Sequence, residues 1–433
     1  MGTFCFYEDS AGLASMPAFA PSLTFAIFIP QNPCMKYWLC LFLSLAATPL
    51  LAQKTLRGKL LSATDRKPIA SASVYLSNTS TGTVSKEDGS FTISPFPEGR
   101  YDLVVSSLGY EIYTATINAA ELPDNLLILL KPKVKEMAGV TVVPFLKNGW
   151  EEWGQFFMDN LIGATPNAED CKLMNKEAVR FRANQQKNLL EAVTSEPLVI
   201  QNKALGYTLT YDLELFEFRF GPGLCTYLGY PLFTEMQSTN TRKVEKWQRN
   251  RQAAYEGSMM HFMRSVYQNK LVENGFELRR VLRRKGKNAW GIDAQMPAIL
   301  IDVPLNGDSL AYSIDSATVQ LQFNDYLQVV YPAKKLPKSY IAFNNNRILD
   351  KPTLNGTVRT TSRLSTNMPL TAEIYANQPS EGVQVLYNGH YYYSTNLVSM
   401  QYWAWSEKLS NLLPLDYGNP QPSNAQMAYK PVY

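Results

Sequence analysis

Histidine is nearly absent: His261 and His390 are the only two in 433 residues. Two histidines and two distant cysteines share no ligand spacing, so neither a metal nor a cofactor is expected. Asp302, Asp308, Asp315 and Asp325 are scattered rather than arranged as a calcium loop. Cysteine is scarce as well. Of five, Cys5, Cys34 and Cys40 fall among the first 52 residues, which leaves Cys171 and Cys225. Two cysteines cannot make a disulfide scaffold. Charged residues make up 18%, with 41 basic against 37 acidic and a net charge of +4. A nucleic-acid binder carries a larger excess gathered on one face, so no nucleic-acid partner is expected. The densest basic run is Arg279, Arg280, Arg283, Arg284, Lys285 and Lys287. It reads as a solvated helix or strand end, with a contact for an anionic partner as the alternative. Beyond residue 52 no stretch approaches the roughly 18 apolar residues a spanning helix needs. No repeat of fixed period appears. Gly221-Pro222-Gly223 follows a strand and precedes extended chain, so it reads as a turn rather than a phosphate loop.

Apolar residues reach 45% and aromatics 12%, with 25 Tyr. That composition is globular. Abundant Tyr and Thr favour half-buried pleated surfaces, hence β structure. Met35-Lys36, an apolar run from Tyr37 to Leu45 and a small residue at Ala52 have the parts of a secretory leader. Residues 35–52 are therefore assigned as a signal peptide. Residues 1–34 hold Glu8 and Asp9 but no Lys or Arg, and read as an upstream extension of the gene. Export to the periplasm, or association with the outer membrane, follows as the expected location. In that oxidising setting a Cys171–Cys225 disulfide would close a loop of about 54 residues and add about 3 kcal/mol. Two buried free thiols are the other reading.

Residues 53–132 carry the clearest pattern. Short alternating segments run over Leu56–Leu61, Ala72–Leu76, Thr83–Ser85, Ser90–Ile93, Tyr101–Ser106, Tyr113–Ile117 and Leu126–Leu130. Turn signals separate them every ~8–12 residues, which predicts a seven-stranded sandwich. Asp88-Gly89 supplies one tight turn. Phe91, Tyr101 and Tyr110 are the expected core or corner aromatics. The order Gly58, Pro68-Ile69-Ala70, Ala72-x-Val74-x-Leu76, Gly82-Thr83, Asp88-Gly89-x-Phe91, Gly99-x-Tyr101 and Ser106-x-Leu108-Gly109-Tyr110 closely resembles the carboxypeptidase-regulatory-like domain family. The resemblance implies a transthyretin-like or Ig-like fold and a non-catalytic module. Similar modules stand beside zinc carboxypeptidases and outer-membrane receptors. The carboxypeptidase motif His-x-x-Glu is missing, because Arg264 and Tyr393 stand three residues after the two histidines.

Residues 133–148 read as a linker with a strand at Val140–Val143. Residues 149–433 read as a larger α+β region rich in antiparallel strands. Trp150, Trp153, Phe156 and Phe157 recur at helical spacing over Gly149–Met158. Tyr207–Phe220 alternates as one long strand with a wet side. Lys243–Asn274 predicts a helix interrupted at Gly257 and ended at Gly275. Trp403–Tyr417 predicts a final helix. The layout from Trp150 through Leu413-Pro414 resembles Bacteroidetes proteins in which such a sandwich precedes a region of unknown function. The overall expectation is a mainly β chain with an α+β portion.

No catalytic constellation emerges. Ser258 and His261 sit three apart on a helix, without a nucleophile elbow or an orienting acid. They read as a cap and a packed ring. His390, after the Asn388-Gly389 turn, reads as a surface residue. Tyr391, Tyr393, Trp403 and Trp405 form a candidate aromatic binding patch, with core packing as the alternative. The chain is expected to be a non-catalytic binding or structural protein of the envelope, with an envelope protein or a glycan as partner. A glycan-acting hydrolase with unrecognised carboxylates and an accessory subunit of an outer-membrane transporter are the alternatives.

Overall fold

Seven strands come first: β1 Leu56–Ser62, β2 Ser73–Leu76, β3 Gly82–Val84, β4 Ser90–Ile93, β5 Arg100–Ser106, β6 Tyr113–Asn118 and β7 Leu126–Leu130. The computed structural model describes residues 54–133, 143–221, 224–283, 285–287, 293–295, 298–349 and 364–429. The assigned leader and extension, and all but Val143 of the linker strand expected at Val140–Val143, lie outside the described residues. The seven strands form two sheets, β4-β1-β7 and β3-β2-β5-β6. β1 pairs antiparallel with β4 and parallel with β7. Between the sheets Leu56, Leu60, Val74, Phe91, Leu103, Val105 and Ile128 are buried together. Gly89 holds the tight turn at φ +77°, and a Cβ there would stand 2.5 Å from the Leu60 carbonyl oxygen. Only glycine takes that conformation without strain.

The two sheets differ on their outer faces. β1 alternates buried and exposed almost perfectly. β2 and the end of β5 are buried on both faces. A strand with no wet side has something packed on each of its faces, and here the second layer is the rest of the chain.

That layer begins with helix α1, Gly149–Leu161, and strands β8 Cys171–Leu173, β9 Val179–Asn184, β10 Leu189–Thr194, β11 Leu198–Asn202, β12 Tyr207–Arg219 and β13 Leu224–Glu235. The β9–β10 register continues unchanged into the β8–β11 register, through Thr194↔Val179 and Ile200↔Leu173. β10 and β11 likewise pair in turn with the two ends of β12. The sheet is thus one four-segment antiparallel meander with interrupted strands. α1 lays Phe157 onto it, with ring centroids 5.7 Å from Phe181 and 4.8 Å from Phe216.

Helices α2, Thr241–Tyr255, and α3, Met259–Tyr267, follow, separated by Gly257 at φ +72°. The break at Gly257 is as expected. The helix ends at Tyr267 rather than near Gly275, because Asn269 turns left-handed at φ 53°. The remaining strands are β14 Glu277–Leu282, β15 Lys285–Lys287, β16 Asp293–Gln295, β17 Ile299–Leu305, β18 Ala311–Ser313, β19 Thr318–Leu321 and β20 Tyr326–Lys335. After helix α4, Lys338–Leu349, come β21 Pro369–Ala376, β22 Val383–Leu386, β23 Tyr391–Tyr392 and β24 Leu397–Gln401, then short helices α5 Tyr402–Ser406 and α6 Ala425–Ala428.

The sheets β17-β14-β20-β21-β24 and β18-β19-β22-β23 follow one another along the chain, β19 leading into β20 and β21 into β22, with the register shifted by three residues between Leu321↔Val383 and Leu327↔Ile374. Together they bend around α3, of which seven residues are buried. The final helix is shorter than Trp403–Tyr417, stopping at Ser406. Overall the chain is mainly β, with a small N-terminal sandwich and a larger β-rich region.

Candidate functional site

The sandwich is fixed to the larger region by buried polar contacts. Asp212, in β12, is 4% exposed. Its carboxylate accepts the Tyr75 hydroxyl at 2.7 Å and the Ser106 hydroxyl at 2.5 Å. Burial pushes the Asp212 carboxyl above its ordinary range, and the two hydroxyls oppose that. At the next turn, Asn78 N–H donates to the Pro231 carbonyl, and Phe233 N–H donates to that of Thr79. Further along the seam Tyr387 donates its hydroxyl to the Glu98 carbonyl at 2.7 Å, so it accepts from Tyr101 at 2.8 Å. Arg100 donates to Gln384 at 2.9 Å and lies 4.1 Å above the Tyr392 ring. His390 is therefore not on the surface. The hairpin turn is present, but its tip packs under the sandwich, with His390 Nε2 3.7 Å from Asp102. Burial lowers its pKa.

Between these anchors a groove of about 510 Å3 opens along the seam. Gly99, Asn118 and Ala120 wall it on the sandwich side, and Asp315, Ala317 and Asn424 on the other. Gly99 sits at φ +100°, and a Cβ there would come within 2.8 Å of the Tyr387 ring. The groove volume falls in the range of small-molecule sites, about 300–1,000 Å3. Each polar side chain is held by its own turn. Asn118 Oδ1 accepts Ala120 N–H, Asp315 Oδ1 accepts Ala317 N–H, and Asn424 Oδ1 accepts Gln426 N–H. The second polar atom of each has no hydrogen-bond partner among the described residues.

A smaller cavity of about 180 Å3 lies where Asn78, Tyr211, Tyr227 and Pro231 meet Glu407 and Lys408. Glu407 accepts the Met259 N–H at the start of α3, at 3.3 Å. Burial pushes its carboxyl up to about 7. Lys334 donates to the carbonyls of Ala253 and Glu256 at the end of α2. A cation thus meets the negative end of one helix and a carboxyl the positive end of the next. No second carboxylate lines this cavity.

Ser258 and His261 take the structural roles expected. Ser258 Oγ caps α3 by accepting the His261 N–H at 3.1 Å, and His261 Nδ1 accepts the Gly257 N–H at 3.2 Å. The His261 ring packs among Tyr255, Phe276 and Tyr331, and burial lowers its pKa to about 4.

Two expectations are corrected. Cys171 and Cys225 are free thiols, not a disulfide. Through the meander Cys171 is in register with Tyr207, and Cys225 with Phe218. Those positions stand roughly 36 Å apart along β12 at about 3.3 Å per residue, against the ~6 Å between Cα atoms that a disulfide spans. The aromatic patch also dissolves. Trp403 is 0% exposed and donates to the Gly257 carbonyl, and Trp405 is 6% exposed among Tyr340, Tyr402 and Phe343. Tyr391 packs against the same core. Only Tyr393 is exposed, because the strand ends before it and its backbone turns left-handed. The described arginines of the basic run lie at the end of β14, part-exposed and ion-paired. Arg279 pairs with Glu277 and Asp302, Arg280 with Asp325, and Arg283 with the buried Glu373.

The aromatic cluster that does reach the surface is Trp153, Phe156, Phe218 and Phe220, with Phe156 and Phe218 centroids 4.6 Å apart. Helical spacing in α1 pointed to half of it. The contribution from the end of β12 needed the register. Among the described residues no group of acids, cysteines and histidines could hold a metal ion, and no helix is long and apolar enough to cross a membrane.

The N-terminal part is a two-sheet sandwich of seven short strands with the Gly89 turn and Phe91 in its core, antiparallel except for the parallel pair β1 and β7. Residues 56–142 match the profile of the CarboxypepD_reg-like domain, and the sandwich is such a domain. No curated protein matches the chain. Among solved structures, the chain is similar to a type II cohesin–X-dockerin complex from Acetivibrio cellulolyticus, with 18% identity, 21% of this chain and 65% of that one covered, and a TM-score of 0.16. It is also similar to a proposed membrane-associated protein of unknown function from Bacteroides fragilis, with 13% identity, 43% and 83% covered, and a TM-score of 0.15. A proposed carbohydrate-binding protein from Bacteroides uniformis gives 10% identity, 42% and 79% covered, and a TM-score of 0.14. Scores this low establish no common overall fold.

Proposed function

We propose that this is an exported, non-catalytic binding protein of the cell envelope, in which the CarboxypepD_reg-like sandwich forms one fixed wall of the binding site. The observation that carries the reading is the seam groove of about 510 Å3, walled on both sides of the junction. A ligand there touches Asn118 and Ala120 from one part and Asp315 and Ala317 from the other. The leader-like segment at residues 35–52 supports the envelope location. The sandwich is then neither a spacer nor a free module, since its Tyr75 and Ser106 are spent on Asp212.

The test is capture from native envelope, with crosslinking and mass spectrometry, using the wild type beside Ala120→Trp and Ala317→Trp. Both alanines are exposed, so the added indoles fill the groove without disturbing a core. A ligand or partner held by the wild type and lost from both variants supports the reading. Equal capture by all three chains refutes it. A hydrolase reading has one observation in its favour, the near-neutral Glu407 in its small cavity. Glycoside cleavage needs two carboxyl groups about 5–9.5 Å apart, and Glu407 is the single acid lining that cavity. Hydrolysis of any glycan by the wild type, lost in Glu407→Gln, would replace the binding reading.

A further inference from the structure

The groove has a definite chemical preference, which rests on the binding reading above. Its one lining cation, Arg100, is held by neutral partners, Gln384 and the Tyr392 ring, and pairs with no carboxylate among the described residues. Lys54 pairs with Glu98 at 2.8 Å. An anionic ligand would meet the carboxylates of both Asp315 and Glu98 beside that one guanidinium. What the groove offers instead is a mixed set of fixed neutral donors and one acceptor. Asn118 and Asn424 have each spent the amide oxygen on a backbone N–H, which leaves the amide NH2 as a donor. Asp315 has spent one oxygen on Ala317 N–H, which leaves the other as an acceptor. The turns fix all three side chains before a ligand arrives, so little rotamer freedom is lost on binding. A hydroxyl both donates and accepts. Neighbouring hydroxyls on a sugar ring can therefore give a hydrogen bond to Asp315 and take one from an asparagine amide at once. Ala120, Ala317 and Pro422 supply the apolar surface between these points.

We infer that the seam groove takes a neutral oligosaccharide of a few rings, oriented by Asp315, Asn118 and Asn424. The experiment is an array of neutral, uronic-acid and sulfated di- to tetrasaccharides probed with the full chain. Titration calorimetry on the strongest neutral sugar follows. Asp315→Asn keeps an oxygen for the Ala317 N–H and replaces the free acceptor by an amide NH2, which only donates. It should weaken the neutral sugar at least tenfold with an unchanged melting temperature. Ala317→Trp should abolish binding. An array that is blank, or lit only by anionic sugars, overturns the inference. A peptide or anion captured by the wild type and lost from Ala317→Trp would overturn the ligand class while leaving the groove as the binding site. Neutral-sugar binding that ignores both variants would overturn the groove itself.

Discussion

The N-terminal sandwich and the β-rich region after it solve the same problem in different ways. The sandwich closes one apolar core within a single stretch, Leu56 to Leu130 holding every member of it, although its strands pair out of sequence order, β1 with β4 and β7 and β2 with β5. The larger region builds two cores and joins them with charged side chains used as struts. Arg264, 7% exposed, donates to the carbonyls of Asn388, Leu415 and Tyr417, each at 3.0 Å. Arg251 donates to Leu205 and Gly206 and pairs with Glu235. Buried guanidinium groups satisfy carbonyls that no strand or helix can reach. The lesson is that the small domain could be closed by pattern alone, whereas the large one depends on contacts between residues far apart in the chain. Asp212 then ties the two regions together, so the sandwich is not free to melt by itself.

That comparison can be broken in four ways. Gly89→Val combines a strained positive φ with a Cβ 2.5 Å from the Leu60 carbonyl oxygen, and should cost about 4 kcal/mol. Chemical denaturation should show one transition moved to lower denaturant. A separate early transition confined to the sandwich would mean that the seam does not couple the regions. Asp212→Ala should cost about 2 kcal/mol by leaving the Ser106 hydroxyl buried without an acceptor and the Tyr75 hydroxyl with only the Tyr230 carbonyl at 3.0 Å. If it splits the transition in two while Gly89→Val does not, Asp212 is the coupling element. An unchanged midpoint would remove it from the seam's account.

The third effect is on pH. Glu407 is pushed up to about 7 from an ordinary 4.5. Between those values the folded chain keeps a proton that the unfolded chain has lost, so stability falls as pH rises through that window. His261 is lowered to about 4 from an ordinary 6.5. There the unfolded chain keeps the extra proton, so stability rises over about pH 4 to 6.5. Each slope amounts to on the order of 1 kcal/mol for these part-exposed side chains. Glu407→Gln should flatten the falling limb and His261→Phe the rising one, with Asp212 still contributing to the first and His390 to the second, read by denaturation midpoints across pH. Identical profiles in the two variants would show that neither group sits in the environment described. The smallest effect is the most direct. Reductant, or replacement of Cys171 and Cys225 by Ser, should move the melting temperature by less than about 1 °C, since no bond joins them. A loss of several degrees on reduction would contradict the meander register.

The difference in legibility between the regions has a physical origin. The seven sandwich strands read directly from alternation and turn residues, because the inward and outward faces of each short strand are set by its own sequence, whereas their pairing order is not. The long β12 and the helix break at Gly257 read for the same reason. The aromatic patch did not. Alternation left Trp403 and Trp405 open between a binding patch and core packing, and the structure puts them in the core, on the short α5, wedged against Tyr340 and Phe262. Proximity of Cys171 and Cys225 also could not be read, since register through three hairpins decides it. Composition and motif thus determined an all-β regulatory-type sandwich, a leader-like segment and a region without a recognisable catalytic triad. Only the tertiary structure decided that the outer face of β2 and β5 is buried and that the seam leaves a groove beside it. Sequence periodicity reports which face of a strand is apolar, and says nothing of which distant segment comes to cover it.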